Sequence, residues 1–171
     1  MIEIRNVKLD DAKELVDIYN YYIENTAITF EIDKLDITEF KDRIKEISAK
    51  FPYIVLLEDG IIKGYAYSHE LNKREAYRFS NEVTIYLDKD SLKKGYGKLL
   101  YNELEKRLKE KGIRNLYACI ASPVVIDKYL NNNSEEFHEH LGYKRNGLFT
   151  KCGYKFNTWY NMIWMEKLLE K

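Results

Sequence analysis

The feature that most constrains the fold is an amphipathic helix predicted over residues 97–111, with Gly112 suited to its end. Strand-like stretches precede it at 81–87 and follow it at 116–120. A helix that joins two strands of one sheet lets them run parallel, whereas a tight turn joins only antiparallel neighbours. The centre of the chain therefore predicts a parallel pair of strands connected through a helix. The buried stripe of that helix consists of leucines four residues apart: Leu100, Leu104 and Leu108.

The rest of the pattern predicts one α/β (α+β) domain whose sheet is mostly antiparallel. Asp59-Gly60, between two alternating runs, is the strongest hairpin signal in the chain. The chain has two prolines and no low-complexity stretch, so we expect a single domain over 1–171. The other predicted elements are strands at 2–7, 53–58, 61–69, 143–150 and 158–168, and helices that begin at Asp10, at Asp36 or Thr38, and at Ser134, the last ending near 141–142.

Composition argues against several classes of partner. Lys plus Arg equals Asp plus Glu at 28 each, so the chain lacks a basic field for nucleic acid or an anionic membrane. It has no apolar run near the roughly 20 residues that span a bilayer, and its first residues do not form a signal peptide. Cys119 and Cys152 show no metal-ligand spacing, and we expect both to be small buried residues in a reducing compartment. The chain is therefore predicted to be cytoplasmic, without a metal, nucleic-acid or membrane partner.

A glycine-containing loop before the central helix suits a phosphate group. Two glycines let the backbone turn tightly, and the helix start adds unpaired N–H donors and the positive end of its dipole. Gly-x-Gly alone fits a surface turn with solvated lysines equally well. A P-loop is excluded because Leu99 follows the lysine, and a dinucleotide fingerprint because the third glycine is absent. The candidate pyrophosphate-binding residues are Lys93, Lys94, Gly95, Tyr96, Gly97 and Lys98.

This loop and four further patterns resemble the GNAT superfamily of N-acetyltransferases, in its phosphinothricin acetyltransferase-like branch. The family's pyrophosphate loop reads Gln/Arg-x-x-Gly-x-Gly/Ala, and Leu92 occupies its first position here. Residues 1–168 are covered by the resemblance, which departs at an apparent insertion over 123–130. The further patterns are Arg-Glu-Ala-Tyr at 74–77, Glu-Val-Thr-Ile-Tyr at 82–86, Asn-x-x-Ser-x-x-x-His-Glu at 131–139, and Gly-Tyr-Lys-x-x-x-Trp at 153–159.

The resemblance implies the GNAT fold, a mixed, mostly antiparallel twisted sheet of about seven strands flanked by about four helices. It implies acetyl-CoA as cosubstrate, with its pantetheine arm along the backbone of Ile85, Tyr86 and Leu87. An asparagine before the helix at Ser134 would contact the cofactor, and the insertion leaves Asn131 and Asn133 as alternatives. The family's habit also favours a homodimer.

Acetyl transfer to an amine needs a base for the ammonium, an aligned thioester and a proton for the thiolate. Glu82 is the candidate base, because it begins the strand before the loop and shares a face with Thr84 and Tyr86. An exposed strand-end carboxylate is the alternative. His138 is the second candidate, four residues before Gly142, where many relatives carry a tyrosine that protonates the thiolate. It acts as a base with Glu82 or as an acid at sulfur, or it is a surface histidine.

The acceptor side is predicted from weaker signals. Arg74 can pair with a substrate carboxylate through two hydrogen bonds, and an ordinary surface arginine is the alternative. We predict transfer of the acetyl group of acetyl-CoA to the primary amine of a small amino-acid-like molecule, of phosphinothricin or methionine sulfone type, in a ternary complex. The alternatives are a non-catalytic acetyl-CoA-binding sensor and a protein or peptide N-acetyltransferase. Further acceptor-side candidates are Phe30, Tyr77, Lys155 and Trp159.

Overall fold

The computed structural model describes residues 1–169, which form one seven-stranded sheet and four α-helices. The predicted α/β (α+β) class is therefore confirmed. The strands are β1 (Ile2–Asn6), β2 (Tyr53–Glu58), β3 (Ile61–Glu70), β4 (Ser80–Leu87), β5 (Asn115–Pro123), β6 (Lys144–Lys155) and β7 (Thr158–Leu168). The helices are α1 (Ala12–Asn25), α2 (Ile37–Ser48), α3 (Tyr96–Glu110) and α4 (Asn133–His140).

The sheet is antiparallel except at its centre. Its strand order is β1-β2-β3-β4-β5-β7-β6, and β4 and β5 run parallel with α3 connecting them, as predicted. Their pairing begins at Ser80–Asn115 and ends at Glu82–Tyr117, whereas β5 pairs with β7 along its whole length. β4 likewise stays paired with β3 to its last residue. Beyond Glu82, β4 and β5 therefore follow different neighbours, and the sheet opens between them.

Helices cover both faces of the sheet, because alternate side chains of a strand point to opposite sides. Ile54 and Leu56 of β2 join the core beneath α3, where the predicted leucine stripe is fully buried. Tyr53, Val55 and Leu57 join a second core beneath α1 and α2. We call these two sides of the sheet the α3/α4 face and the α1/α2 face. The second core is rich in packed tyrosine rings: Tyr19, Tyr53, Tyr65, Tyr67 and Tyr86.

Three helix starts test the capping predictions. Asp36, one of the two predicted starts, caps α2, and its carboxylate accepts the backbone N–H of Glu39 at 2.8 Å. Asp10 is wrong as the cap of α1, because it lies in a tighter 3-10 turn and Asp11 directly precedes the α-helix. Ser134 is wrong as the cap of α4, because it is the second residue of that helix.

The two cysteines are exposed, so the prediction that both are buried is wrong. Cys119 lies on the side of β5 opposite the core residues Ala118 and Ile120, because side chains alternate along the strand. Cys152 lies where the pairing of β6 with β7 is interrupted. Within residues 1–169, no helix is long and apolar enough to cross a membrane. The same residues contain no group of three or more His, Cys, Asp or Glu side chains that could hold a metal ion.

Candidate active site

The opening between β4 and β5 forms a cavity of about 280 Å³. The backbone of β4 on its β5 side has no strand partner beyond Glu82, so part of its N–H and C=O groups are available to an extended ligand. β4 contributes Glu82, Val83, Thr84, Ile85 and Tyr86 to the cavity wall, and β5 contributes Ala118, Cys119, Ile120 and Ala121.

The cavity reaches both faces of the sheet. Val83 belongs to the core on the α3/α4 face, so Glu82 and Thr84 on either side of it point to the α1/α2 face. On β5, Ala118 belongs to the α3/α4 core and Cys119 points the other way. The walls of the cavity thus include side chains from both faces, and two reactants can meet in it from opposite sides.

Glu82 lies at the mouth of the opening, in the last residue pair that joins β4 to β5. Its side chain is 23% exposed, and burial raises its pKa, while the neighbouring His69 imidazole opposes that shift. His69 is the direct partner of Glu82 on β3, and its Nε2 lies 3.6 Å from Oε2 of the carboxylate. A half-buried carboxylate with a raised pKa, facing a cavity, is suited to accept a proton.

His138 and Tyr101 line the cavity on the α3/α4 face. His138 is 3% exposed, with Nδ1 2.7 Å from the Ser134 carbonyl oxygen and Nε2 2.9 Å from the Tyr101 hydroxyl. Because a carbonyl oxygen only accepts, the proton lies on Nδ1, and the Tyr101 hydroxyl donates to Nε2. Burial lowers the pKa of His138 to about 4, so the imidazole is neutral at physiological pH.

The loop before α3 has the backbone geometry of an anion site. Gly95 adopts φ +82°, and the space where its Cβ would stand is open, so a ligand can approach the backbone closely. It precedes the first helical residue and offers no side-chain cap to the N–H groups of the first turn. Lys93, Lys94 and Lys98 are exposed around these groups.

Two residues of this segment have structural roles within the protein. The Tyr96 hydroxyl donates to Oε1 of Glu58 at 2.5 Å. A Cβ at Gly97 would lie 2.8 Å from Cζ of Phe137, so glycine lets α4 approach α3. Any contact of Tyr96 or Gly97 with an anion would therefore come from the backbone.

A family model described as an acetyltransferase (GNAT) domain matches residues 4–164. The chain belongs to the GNAT acetyltransferase family. It is 28% identical over 169 residues to a phosphinothricin N-acetyltransferase of Streptomyces viridochromogenes, covering 99% of this chain and 88% of the relative.

Two solved structures of the family extend this likeness to three dimensions. One is a phosphinothricin acetyltransferase from Sinorhizobium meliloti in complex with acetyl-CoA, with a TM-score of 0.89, 30% identity, and coverage of 98% of this chain and 88% of that one. The other is a ribosomal-protein-alanine N-acetyltransferase from Brucella melitensis, with a TM-score of 0.89, 26% identity, and coverage of 98% and 99%. The GNAT fold predicted from the sequence is thereby confirmed.

The GNAT site gathers some of the predicted residues and leaves others apart. Glu82, His138, Ile85, Tyr86 and Phe30 all line the cavity. The Leu87 carbonyl accepts the Tyr22 hydroxyl at 2.6 Å, at the end of β4 nearest the loop. Predicted residues that are exposed and outside the wall of the cavity are Asn131, Asn133, Arg74, Tyr77 and Trp159.

Lys155 is predicted as an acceptor-side residue, and the structure places it behind the cavity wall. It is 4% exposed, and its Nζ donates to the Thr29 carbonyl oxygen at 3.0 Å. Thr29 and Phe30 line the cavity from the segment between α1 and α2. The Phe30 ring packs on Gly153, where a Cβ would lie 2.5 Å from Cε2 of the ring. Lys155 therefore anchors a segment that borders the cavity.

Sequence reasoning missed several polar residues of the cavity wall, among them His69, Tyr101 and Ser134. The place of His69 beside Glu82 depends on the register between β3 and β4. A nine-residue connection joins these strands, so the sequence does not reveal that register. Tyr101 lies three residues before Leu104 of the predicted stripe, so helical periodicity alone assigns it to the core. Ser134 was predicted as a helix cap. An antiparallel alignment of the predicted strands at 61–69 and 81–87 would have found His69. In that alignment residues directly opposite each other share a face, so His69 falls beside Glu82.

Proposed function

We propose that this chain transfers the acetyl group of acetyl-CoA to the primary amine of a small amino-acid-like substrate, of phosphinothricin or methionine sulfone type, by direct attack in a ternary complex. The observation that carries the proposal is the cavity through the sheet, with the Glu82 carboxylate at its mouth on one face and the Tyr101–His138 pair on the other. The likeness of the chain to phosphinothricin acetyltransferases, one of them in complex with acetyl-CoA, supports the same reaction.

The donor half of the site fits acetyl-CoA. A pyrophosphate would accept hydrogen bonds from the uncapped N–H groups at the start of α3, beside the open space at Gly95. Lys93, Lys94 and Lys98 would add positive charge around it. The pantetheine amides would pair with the side of the β4 backbone that has no strand partner, from Ile85 to Leu87, in the manner of an added strand. The Leu87 carbonyl oxygen, which already accepts from Tyr22, would do so with its second lone pair. Asn131 and Asn133 remain alternative contacts near the start of α4.

The proton balance assigns Glu82 the first step. The substrate ammonium gives one proton to the Glu82 carboxylate, directly or through a water molecule, and the freed lone pair attacks the thioester carbonyl carbon. The C–S bond breaks and the C–N bond remains. Of the two other ammonium protons, one stays on the product amide and one passes to sulfur, which leaves as the CoA thiol.

The departing sulfur lies on the α3/α4 side in this proposal. His138 is neutral and both of its nitrogens are engaged, so it positions the Tyr101 hydroxyl rather than giving up a proton itself. To stabilise the developing thiolate, the Tyr101 hydroxyl would turn its one proton from His138 Nε2 to the sulfur, while Glu82 works on the opposite face. This division places base and leaving group on two sides of one cavity, as direct attack requires.

The acceptor would enter from the α1/α2 face, where Phe30 borders the cavity. Arg74 and Tyr77 lie in the exposed connection between β3 and β4, and Trp159 is exposed near the start of β7. These residues would reach the acceptor only at its outer end. The likeness to a ribosomal-protein-alanine N-acetyltransferase keeps a peptide acceptor as the second candidate. A non-catalytic acetyl-CoA sensor is the third, and the pairing of Glu82 with an open cavity argues against it.

We also propose a cytoplasmic homodimer. The edge strand β6 leaves Leu148 and Phe149 48% and 53% exposed, and a second copy would cover this apolar surface. Light scattering on the purified chain measures this directly, and a monomeric mass at micromolar concentration would contradict it.

The experiment that tests the function measures CoA release with a panel of acceptors. We expect turnover with phosphinothricin or methionine sulfone and none above background with short peptides. Preference for peptides would favour the second candidate. Tight acetyl-CoA binding by calorimetry, without CoA release for any amine, would favour the sensor.

A further inference from the structure

His69 is a titratable residue at the active site to which the mechanism above assigns no role. It lies on β3 directly opposite Glu82, and its Nε2 is 3.6 Å from the Glu82 carboxylate. It also borders a second cavity on its other side, between the end of α2 and the start of the β3–β4 connection. The imidazole therefore separates Glu82 from a second, solvent-accessible space.

The ring of His69 is held in one orientation. Its Nδ1 lies 2.9 Å from the Glu70 carbonyl oxygen, which can only accept, so Nδ1 carries a proton and Nε2 is directed to Glu82. In the neutral ring, Nε2 is an acceptor. When the ring gains its second proton, Nε2–H becomes a charged donor aimed at the Glu82 carboxylate.

No other cation among the described residues is placed to do this for Glu82. Lys50, at the end of α2, pairs with Glu70 at 3.7 Å. Burial raises the pKa values of Tyr67 and Tyr101, and desolvation by the surrounding cavity wall raises the pKa of the Cys119 thiol, so all three face Glu82 as neutral groups. The titratable groups around His69 and Glu82 are Tyr67 and Glu70 of β3, Glu46 of α2 with Lys50 after it, Lys73 of the β3–β4 connection, Tyr101 of α3, and Cys119 of β5.

We propose that His69 is a positioning residue that keeps Glu82 ionised and aimed at the acceptor amine, so that the pair, rather than Glu82 alone, is the base of the reaction. The inference rests on the proposed function for its catalytic consequence. Glu82 lies in a pocket whose burial favours the protonated acid, and the His69 cation opposes this. When Glu82 takes the ammonium proton, it becomes the neutral acid beside the His69 cation, and loss of that proton to solvent restores the carboxylate before the next turnover.

The first test is the pH dependence of kcat/KM in H69Q, with H140Q as the matched control. His140 is exposed on α4 and hydrogen-bonded only to its own helix, at the Glu136 carbonyl. Without the cation, Glu82 is protonated more readily. We expect H69Q to be about tenfold slower than wild type on the acid limb and within about threefold on the plateau. H140Q should follow wild type, and the KM for acetyl-CoA should change in neither variant.

An equal loss in H69Q at every pH would overturn the inference, because a merely structural role lowers the whole profile. A wild-type profile in H69M would also overturn the inference, because methionine fills the space of the ring but carries no charge. If the wild-type protein released no CoA with any acceptor, the proposed function would be contradicted. The second test below would then decide whether His69 and Glu82 are coupled.

The second test needs no turnover. The chain has three histidines, so their imidazole NMR signals can be assigned with single substitutions. Replacing Glu82 by Gln removes the negative charge next to Nε2. Because the His69 cation loses its counterion, we expect its signal to change at a lower pH in E82Q than in wild type, with the His140 signal the same in both. Identical titrations of His69 in both proteins would show that the two groups are uncoupled.

Discussion

The buried neutral imidazole of His138 makes a quantitative prediction about stability. Its pKa is lowered to about 4 from an ordinary value of 6.5, because burial disfavours the charged ring. Between these two values the unfolded chain binds a proton on this residue and the folded chain does not. Stability from this group is therefore fully present above pH 6.5 and is lost as the pH falls through 6.5 toward 4.

The magnitude follows from linkage. Each pH unit inside this window costs about 1.4 kcal/mol, and the partial titration at its edges reduces the loss between pH 7 and pH 5 to about 2 kcal/mol. Solvent screens a charge on this imidazole only weakly, because His138 is 3% exposed. Against a typical total of about 5–15 kcal/mol, this loss is large enough to measure.

Urea unfolding at pH 7 and pH 5, followed by tryptophan fluorescence, measures it. H138Q shifts stability at both pH values, and the informative quantity is the difference between them, which should be about 2 kcal/mol smaller than in wild type. The other titrating groups, Glu82 among them, are present in both proteins, so their contributions cancel. H140Q is the matched control and should keep the wild-type difference. An unchanged difference in H138Q would refute the neutral, buried histidine.

Two further substitutions test the packing of the site. G97A places a methyl group 2.8 Å from the Phe137 ring, and overpacking of about 1–3 kcal/mol should outweigh the helix-propensity gain of at most about 1 kcal/mol. The melting temperature should therefore fall and the KM for acetyl-CoA rise, whereas an unchanged melting temperature would contradict the close approach of α3 and α4. K155M removes the hydrogen bond to the Thr29 carbonyl, at a cost of about 1 kcal/mol. It should raise the KM for the acceptor and leave that for acetyl-CoA, and an unchanged acceptor KM would show that Lys155 has no part in the site.

The sequence predicted most of the fold because its strongest signals are local. The leucine stripe of α3 and the Asp59-Gly60 turn each depend on residues a few positions apart, and both are found where expected. The errors lie at helix starts. Asp10 and Ser134 are good capping residues, but the side chain that precedes a helix depends on how the chain enters it, which short-range preference does not determine.

The site was predictable only in part, because it depends on which strands are neighbours. Glu82, Gly95 and His138 were found through a resemblance and through their place beside α3 and α4. His69 and Tyr101 became visible only when register and helix docking placed them against these residues. The exposure of Cys119 also depends on which strands are neighbours. One face of β5 is buried in the core, and the other face, which carries Cys119, lines the opening between β4 and β5.

The most direct test of the central claim is the turnover of E82Q. Glutamine preserves the size of the side chain and cannot accept the ammonium proton, so kcat should fall by about 10²–10⁴-fold at neutral pH. Acetyl-CoA binding, measured by calorimetry, should stay within about twofold of wild type, because the loop before α3 is untouched. Full turnover in E82Q at neutral pH would contradict the assignment of Glu82 as the base.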